Sequence, residues 1–399
     1  MSDSLARFHS TNGPVTVVLP FEYHSIIADW AALRRLMARS VPSAFTRDEW
    51  AYLITFLDPE NLLSTFTESF GAPLTDADGH DEPDAPSHWI YRPRGAIAVW
   101  LPNNVSLLGP LTLILLSLTG QRIRLKLGSL AEDLCGEFLK YAVTHLPDGA
   151  LRGYLESRVT AETFERGDRR QLEFAEESAV RIVFGSDDAA SAIHALPHPV
   201  DSVGFSFADR RSEAWIAHDA ADDAILTTLI KVFAIYGQAG CTSPRRVVVP
   251  DGTPEQARSM RDRVAELWPQ VIRHDPPMHV ASSNLLASQW ALALGWDTRV
   301  TERHGAVLAC GSIDLEAFDS PMALRFVAAS REQAVAGLPD NIQTLGHALT
   351  DPTDSEWLRL LAGTPVLRFV PLARMHHFGA VWDGQDYWRQ CFSAMEVHS

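Results

Sequence analysis

Apolar and polar residues change rhythm along this chain, and the changes divide it into helices and strands. Over residues 22–70 the apolar positions recur at the spacing of one helical face, most clearly in Asp48-Glu49-Trp50-Ala51-Tyr52-Leu53-Ile54-Thr55-Phe56-Leu57. The rhythm stops at residues 71–87, where Pro73, Pro83 and Pro86 alternate with Asp76, Asp78, Asp81, Glu82 and Asp84. Proline removes backbone donors and carboxylates hold their water, so this stretch reads as a solvated connection.

Beyond it, short apolar runs alternate with longer helical ones. Gly95-Ala96-Ile97-Ala98-Val99-Trp100-Leu101 is a strand, residues 105–118 form an apolar helix, and Arg122-Ile123-Arg124-Leu125-Lys126-Leu127 is a strand of period two. Ser129-Leu130-Ala131-Glu132 has the form of a capping box and predicts a helix from there to about His145. A strand at 180–184, a helix at 219–236 and a strand at 246–249 follow. Thr253-Pro254-Glu255 then supplies an N-cap, a first-turn proline and a first-turn acid for a helix to about Trp268. Such alternation with short connections builds a mainly parallel sheet covered by helices, so the fold class is α/β. Ligands meet these sheets at their carboxyl ends. The G-x-G-x-x-G fingerprint is absent, so spacing alone lends no support to a dinucleotide.

Composition narrows the function. At 399 residues, 46% hydrophobic, the chain has the length of roughly two or three domains. Lys and Arg total 34 against 50 Asp and Glu, a net charge of −16, which turns away nucleic acid. Cys135, Cys241, Cys310 and Cys391 lie far apart with no C-x-x-C spacing, which excludes a disulfide framework or zinc knuckle and suits a reducing cytoplasm. The N-terminus lacks the basic and apolar pattern of an export signal, so a cytoplasmic location is expected. The apolar run 105–118 is interrupted by Gly109 and Pro110 and falls short of the ~20 residues a membrane span needs. Adjacent His376 and His377 do not face one metal, and no metal is assigned. Phosphate-loop, H-E-x-x-H and G-x-S-x-G motifs are missing.

One segment is chemically suggestive. Gly237-Gln238-Ala239-Gly240-Cys241-Thr242-Ser243-Pro244-Arg245 presents a thiol at a sharp turn between a helix and a strand. Glycines at 237 and 240 permit close approach of a backbone or ligand, and a Cys241 amide aimed into the same space would join nucleophile and oxyanion donor in one residue. Arg245 or nearby amides would favour the thiolate. A buried, inert thiol is the ordinary alternative.

The Gly237-Gln238-x-x-Cys241 segment, with Arg245 and a valine-rich strand behind it, resembles the catalytic cysteine motif of the aldehyde dehydrogenase superfamily. Cys241-Thr242-Ser243-Pro244-Arg245 is similar to the version in LuxC-like long-chain acyl-CoA reductases, the fatty acyl thioester reductases of bacterial luminescence. The resemblance runs from about Gly95 to the C-terminus and is strongest around Cys241. It implies a Rossmann-type cofactor domain plus an α/β catalytic domain, with the active site in the cleft between them. The expected divisions are residues 1–208 with the cofactor site, 209–345 with Cys241, and 346–399 packing back on the body.

The same resemblance implies site residues. Leu101-Pro102-Asn103-Asn104-Val105 is similar to the segment whose asparagine amide binds the oxyanion, with Asn104 at that position. Lys126 and Ser129 match a segment that holds the adenine ribose hydroxyls, and Val183-Phe184-Gly185-Ser186 matches a turn whose serine opens a helix toward the pyrophosphate. Glu316-Ala317-Phe318-Asp319-Ser320-Pro321 resembles the Glu-x-Phe-Gly-Pro segment at the nicotinamide ribose, one residue longer, which makes Glu316 a cofactor candidate. Gln343-Thr344 and Trp382-Asp383-Gly384 also fit the luminescence branch, in structural roles.

One departure is informative. Aldehyde-oxidising members carry a Glu-Leu-Gly-Gly segment whose glutamate activates water, but here the region reads Ala208-Asp209-Arg210-Arg211-Ser212-Glu213-Ala214-Trp215. Glu213 is the nearest carboxylate, on a strand where it could equally face solvent. Without that base, acyl transfer is favoured over hydrolysis. The expected activity is NAD(P)H-dependent reduction of an acyl-CoA or acyl-carrier-protein thioester to the fatty aldehyde through a covalent Cys241 thioester. The family's preference points to NADPH, while Arg122, Arg124 and Lys126 leave NADH open. A homo-oligomer, dimer or tetramer, is the superfamily's habit. Two other readings stay open: a cysteine acyltransferase or thioesterase without nicotinamide, using His218 or His274 as base, and a non-catalytic binding protein on the same scaffold.

Overall fold

The computed structural model describes residues 4–11, 13–74, 87–129, 132–273 and 275–398. Most of the acidic connection (residues 75–86), Leu130 and Ala131 of the expected capping box, and His274 lie outside the described residues. The chain divides into two compact units, Met1–Ala208 with Phe378–Ser399, and Asp209–His377.

The first unit opens with a hairpin that the helical rhythm downstream gave no hint of, β1 (Ser4–Ser10) and β2 (Gly13–Leu19). Its alternate residues Ala6, Phe8, Val15, Val17 and Leu19 are buried. Helices α1 (Tyr23–Met37), α2 (Arg47–Phe56) and α3 (Pro59–Phe70) follow, and their start signals are local. Thr46 and Glu49 close a capping box on α2, and Asp58 caps α3 ahead of Pro59. The strands β3 (Ala72–Pro73) and β4 (Ser87–Pro93) lie on either side of residues 75–86 in sequence, and Pro73, expected in the connection, instead pairs with Phe8.

The alternating region comprises β5 (Ile97–Trp100), α4 (Leu108–Ser117), β6 (Ile123–Lys126), α5 (Leu134–His145), α6 (Ala150–Arg158), β7 (Val159–Glu162), α7 (Arg170–Glu176), β8 (Val180–Gly185), α8 (Asp187–His194) and β9 (Val203–Ala208). These five strands are all parallel, in the order β7-β6-β5-β8-β9. The order reverses between β5 and β8, which is the topological switch point of a Rossmann-type sheet. All four residues of β6 are buried between helical layers, Arg124 and Lys126 included, so its alternation marks no exposed face. One expectation changes here. The helix does not open at Ser129: α5 begins later, with the Asp133 side chain accepting from the Gly136 amide. Asp133 lies nearer the apolar run and wins the cap.

The second unit holds β10 (Arg211–Ile216), α9 (Asp223–Ala234), β11 (Pro244–Pro250), α10 (Pro254–Val271), α11 (Met278–Ala293), β12 (Asp297–Val300), β13 (Val307–Gly311), β14 (Ala323–Ala329), α12 (Arg331–Ala336), β15 (Ile342–Ala348), α13 (Ser355–Leu361) and β16 (Arg368–Pro371). Its sheet runs β12-β13-β14-β11-β10-β15-β16, parallel except for the edge strand β12. Leu229 and Phe233 of α9 and Val264 and Trp268 of α10 bury one face of this sheet. Trp215, Val248, Trp296, Val327 and Trp357 fill the other. As read from the sequence, Thr253 caps α10, here in a capping box with Gln256.

From Phe378 the chain rejoins the first unit. There β17 (Val381–Trp382) and β18 (Gln385–Asp386) form a hairpin whose turn residues, Asp383 and Gly384, are both left-handed at φ 50° and 71°. Finally β19 (Phe392–His398) pairs with β4, completing a sheet in the order β19-β4-β2-β1-β3. Among the described residues no helix is long and apolar enough to cross a membrane.

Candidate active site

Beyond Ile235, which caps α9, come three consecutive left-handed residues, Tyr236 at φ 52°, Gly237 at φ 60° and Gln238 at φ 62°. Only glycine adopts that conformation freely, and each of the other two costs roughly 1 kcal/mol. Gln238 offsets its share with its buried amide, which donates to the Pro244 and Ala323 carbonyls at 2.9 and 2.8 Å and accepts from the Ala323 amide at 3.0 Å. Those bonds tie the turn to the first residues of both β11 and β14. A Cβ on Gly237 would meet nothing, and one on Gly240 would make only ordinary contact. Gly237 therefore serves backbone conformation, and neither glycine marks the close approach expected from the sequence.

The turn delivers Cys241 to the surface as an exposed thiol outside any disulfide. The other three cysteines are buried, and burial pushes their thiols up and away from the reactive thiolate. Ser212, at the start of β10, donates its hydroxyl to the Cys241 carbonyl at 2.7 Å. Thr242 is buried, with its hydroxyl 2.6 Å from His376 Nδ1. Arg245 is committed elsewhere: its guanidinium pairs with Asp319 at 3.1 Å, and Arg211 binds the same carboxylate at 2.9 Å. Asp319 belongs to the segment that begins at Glu316, which is exposed and whose carbonyl accepts from the Trp296 indole.

Glu213 is not a surface residue. It is 4% exposed and accepts from Arg246 through both oxygens, at 2.9 and 3.0 Å. Burial pushes its carboxyl up, against the pull of the Arg246 charge. Of the two histidines considered as bases, His218 is exposed on a short turn after β10. The histidine the fold does bring to the cysteine turn is His376, 134 positions from Thr242 in sequence. No spacing rule points to it.

His376 is neutral in the folded protein, because burial pulls its pKa down to about 4. An unfolded histidine titrates near 6.5, so between about pH 4 and 6.5 the unfolded chain binds the extra proton. Stability is therefore full above that window and falls as pH drops through it, by up to roughly 3 kcal/mol. Urea unfolding at pH 7 and pH 4.5 checks this. The wild type is expected to lose more stability on acidification than His376→Asn, and equal losses would contradict it.

In the first unit, the remaining candidates gather along one edge. Asn104 follows β5, Lys126 ends β6 with Ser129 just beyond it, and Gly185 ends β8 with Ser186 capping α8. These are the carboxyl ends of three neighbouring strands. The loops after β5 and β6 touch, since a Cβ on Gly128 would overlap the Asn103 side-chain oxygen.

Lys126 is the best sign that the edge fits a nucleotide. It is 8% exposed, and its ammonium has no hydrogen bond or ion pair among the described residues, with the Phe164 ring centroid 5.8 Å away. Burial lowers its pKa, the neighbouring Arg166 adding to the effect and Glu165 opposing it. Ribose hydroxyls or a phosphate would satisfy it. Arg124 donates to Glu177 at 2.9 Å and Arg122 lies 3.7 Å from the same carboxylate, so both have anions already. At α8, Asp187 and Asp188 share the first turn and partly compensate the helix end that Ser186 caps, which weakens it as a phosphate site. Among the described residues no group of His, Cys, Asp and Glu is placed to hold a metal ion.

Comparison with known proteins agrees with this fold. A family described as acyl-CoA reductase (LuxC) matches residues 29–387. Among solved structures, proline utilization A of Bradyrhizobium japonicum superposes with a TM-score of 0.63 at 14% identity, over 95% of this chain and 43% of that one. This chain thus spans less than half the length of that protein. Betaine aldehyde dehydrogenase of Staphylococcus aureus gives 0.63 at 12% identity, over 95% of this chain and 83% of that one. Methylmalonate-semialdehyde dehydrogenase of Oceanimonas doudoroffii gives 0.63 at 14% identity, over 94% and 85%. At these identities the likeness concerns the fold. No curated protein matches the chain.

Proposed function

We propose, from the premise that this chain belongs to the LuxC family of acyl-CoA reductases within the aldehyde dehydrogenase superfamily, that it reduces an acyl thioester to the aldehyde with Cys241 as nucleophile. The observation that carries the reading is Cys241 itself, the one exposed thiol among four, presented on a turn that Gln238 and Ser212 hold in place.

The Cys241 sulfur attacks the thioester carbonyl carbon and forms a new carbon–sulfur bond. The bond to CoA or to a carrier-protein thiol then breaks, and the departing thiolate takes up the proton that the cysteine lost. Asn104 and the Cys241 backbone amide are the proposed donors to the transient oxyanion, each worth on the order of 3 kcal/mol. Lys126, Ser129, Gly185, Ser186 and Glu316 are proposed to hold the nicotinamide nucleotide. When bound, NADPH or NADH supplies the hydride that reduces the acyl carbon. Cys241 then leaves as a thiolate and the aldehyde departs. The largely buried charge of Lys126 favours NADPH, whose additional phosphate it can pair with. Glu213 is held by Arg246 and is a poor base for water, which protects the acyl-enzyme from hydrolysis. A homo-oligomer, dimer or tetramer, is proposed from superfamily habit.

Loss of NADPH absorbance, then of NADH, across acyl-CoA thioesters of increasing length and an acyl-carrier-protein thioester tests the reading, with aldehyde trapped as product. Cofactor oxidation that requires the thioester supports it. An acyl adduct on Cys241 with no cofactor oxidation would move the protein to acyl transfer. In the same assay Asn104→Ala is expected to lower kcat by about 100-fold with little change in KM. An unchanged kcat would remove Asn104 from the oxyanion site.

A further inference from the structure

The hydrogen bonds around His376 fix its tautomer. Its Nε2 lies 2.8 Å from the Val232 carbonyl, which can only accept, so Nε2 carries the proton. Nδ1 is then the acceptor, and the Thr242 hydroxyl 2.6 Å away must donate to it. Val232 lies in the last turn of α9, where helical carbonyls run out of amide partners. One neutral imidazole thus joins the end of the helix that enters the turn to the residue that follows the thiol.

The loop that carries the ring is itself held. Arg368 on β16 donates to the carbonyls of Met375 at 3.0 Å, His377 at 3.1 Å and Arg374 at 3.3 Å, and to the Thr344 hydroxyl at 3.2 Å. Behind the loop, the Met375 side chain occupies the space that a Cβ on Gly346 would need. Thr344 belongs to the Gln343-Thr344 pair singled out in the sequence, and this contact gives it a task. From the other side, Ser212 holds the Cys241 carbonyl. The peptide joining Cys241 to Thr242 is gripped at both ends.

We infer that His376, presented by Arg368, is a positioning residue that fixes Thr242 and thereby the attack geometry of Cys241. The inference rests on Cys241 being the nucleophile. Burial supports it by keeping the ring neutral, so that Nδ1 retains its lone pair. A small misplacement of a reacting group costs on the order of 100-fold in rate, which sets the scale of the effect.

Four variants of the full chain test it. Thr242→Val removes the hydroxyl at constant shape, and Thr242→Ser keeps it. His376→Gln can reach Val232 but loses the acceptor at Nδ1, and His376→Asn keeps that acceptor. Each is read by kcat and KM with acyl-CoA, by the rate of Cys241 alkylation with iodoacetamide followed by mass, and by thermal unfolding.

Thr242→Val and His376→Gln are expected to lower kcat about 10- to 100-fold with KM within about threefold, and to alter the alkylation rate. Combining them should cost no more than either alone. Thr242→Ser and His376→Asn should recover most of the loss. Wild-type kcat and alkylation rate in folded Thr242→Val, or losses that multiply in the double variant, would overturn the inference. If His376→Gln does not fold, Thr242→Val decides alone. Failure of the nucleophile reading is distinguishable, because Cys241→Ala would then keep the reductase activity, whereas the alkylation rate still reports how the thiol is held.

Discussion

Cys241→Ala is expected to abolish thioester-dependent NADPH oxidation, a loss of more than about 10,000-fold, since the covalent route has no substitute nucleophile. Its side chain is exposed, so its removal leaves no cavity, and the melting temperature should stay within about 1 °C of wild type. The same exposure predicts a chemical result. Iodoacetamide added to the native protein should modify one cysteine, and peptide mass should place the adduct on Cys241, because Cys135, Cys310 and Cys391 are buried with thiols pushed toward the protonated form. An alanine variant that still consumes NADPH with acyl-CoA would end the covalent mechanism. Equally fast labelling of a second cysteine would contradict the burial argument.

Glu213→Ala should give the largest loss of stability, about 3 to 5 kcal/mol, by leaving the Arg246 charge buried without its counter-ion. Arg246 depends on Glu213 closely: it also donates to the Gly337 carbonyl at 2.7 Å, but its Nε is buried and has no partner among the described residues. The strand register sets Glu213 beside Arg246 and Arg246 beside Arg325. Burial and the Arg246 charge already pull the Arg325 pKa down to about 10. Without Glu213, the neighbouring Arg246 and Arg325 guanidinium groups on β11 and β14 lose the β10 carboxylate that offsets both charges. Urea unfolding of Glu213→Ala against the double variant Glu213→Leu/Arg246→Met checks the cause, since the double variant removes both charges and should be the more stable. A cost below about 1 kcal/mol for Glu213→Ala would show that the pair is not holding the sheet. If Glu213 instead activated water, its removal would raise the yield of aldehyde relative to free acid with stability unchanged.

The parts of this protein legible in the sequence are those set by a few neighbouring residues. The turn at Cys241 could be read because the thiol, its flanking residues and the strand behind them are contiguous. Thr253 and Ser186 announced the helices they cap because a cap bonds the amide three residues on. The alternation of strands and helices gave the parallel architecture for the same reason, since hydrophobic period is a local property. The cysteine motif carried the family, which the match over residues 29–387 bears out.

Local reading failed where two local signals competed or where burial depended on the whole sheet. Ser129 and Asp133 both offered a cap for α5, and the one nearer the apolar run, Asp133, took it. The period-two alternation of β6 gave no sign that all four of its residues are buried. Pairings across long separations were beyond reach altogether. Glu213 meets Arg246 from 33 positions away, and His376 meets Thr242 from 134. The amino-acid order therefore determined which thiol is presented and on what scaffold, because those features are encoded within a turn or a strand. Tertiary structure alone decided that Glu213 is a buried ion-pair partner and that a distant histidine holds the cysteine turn, because parallel strands bring together residues whose separation along the chain carries no signal of their contact.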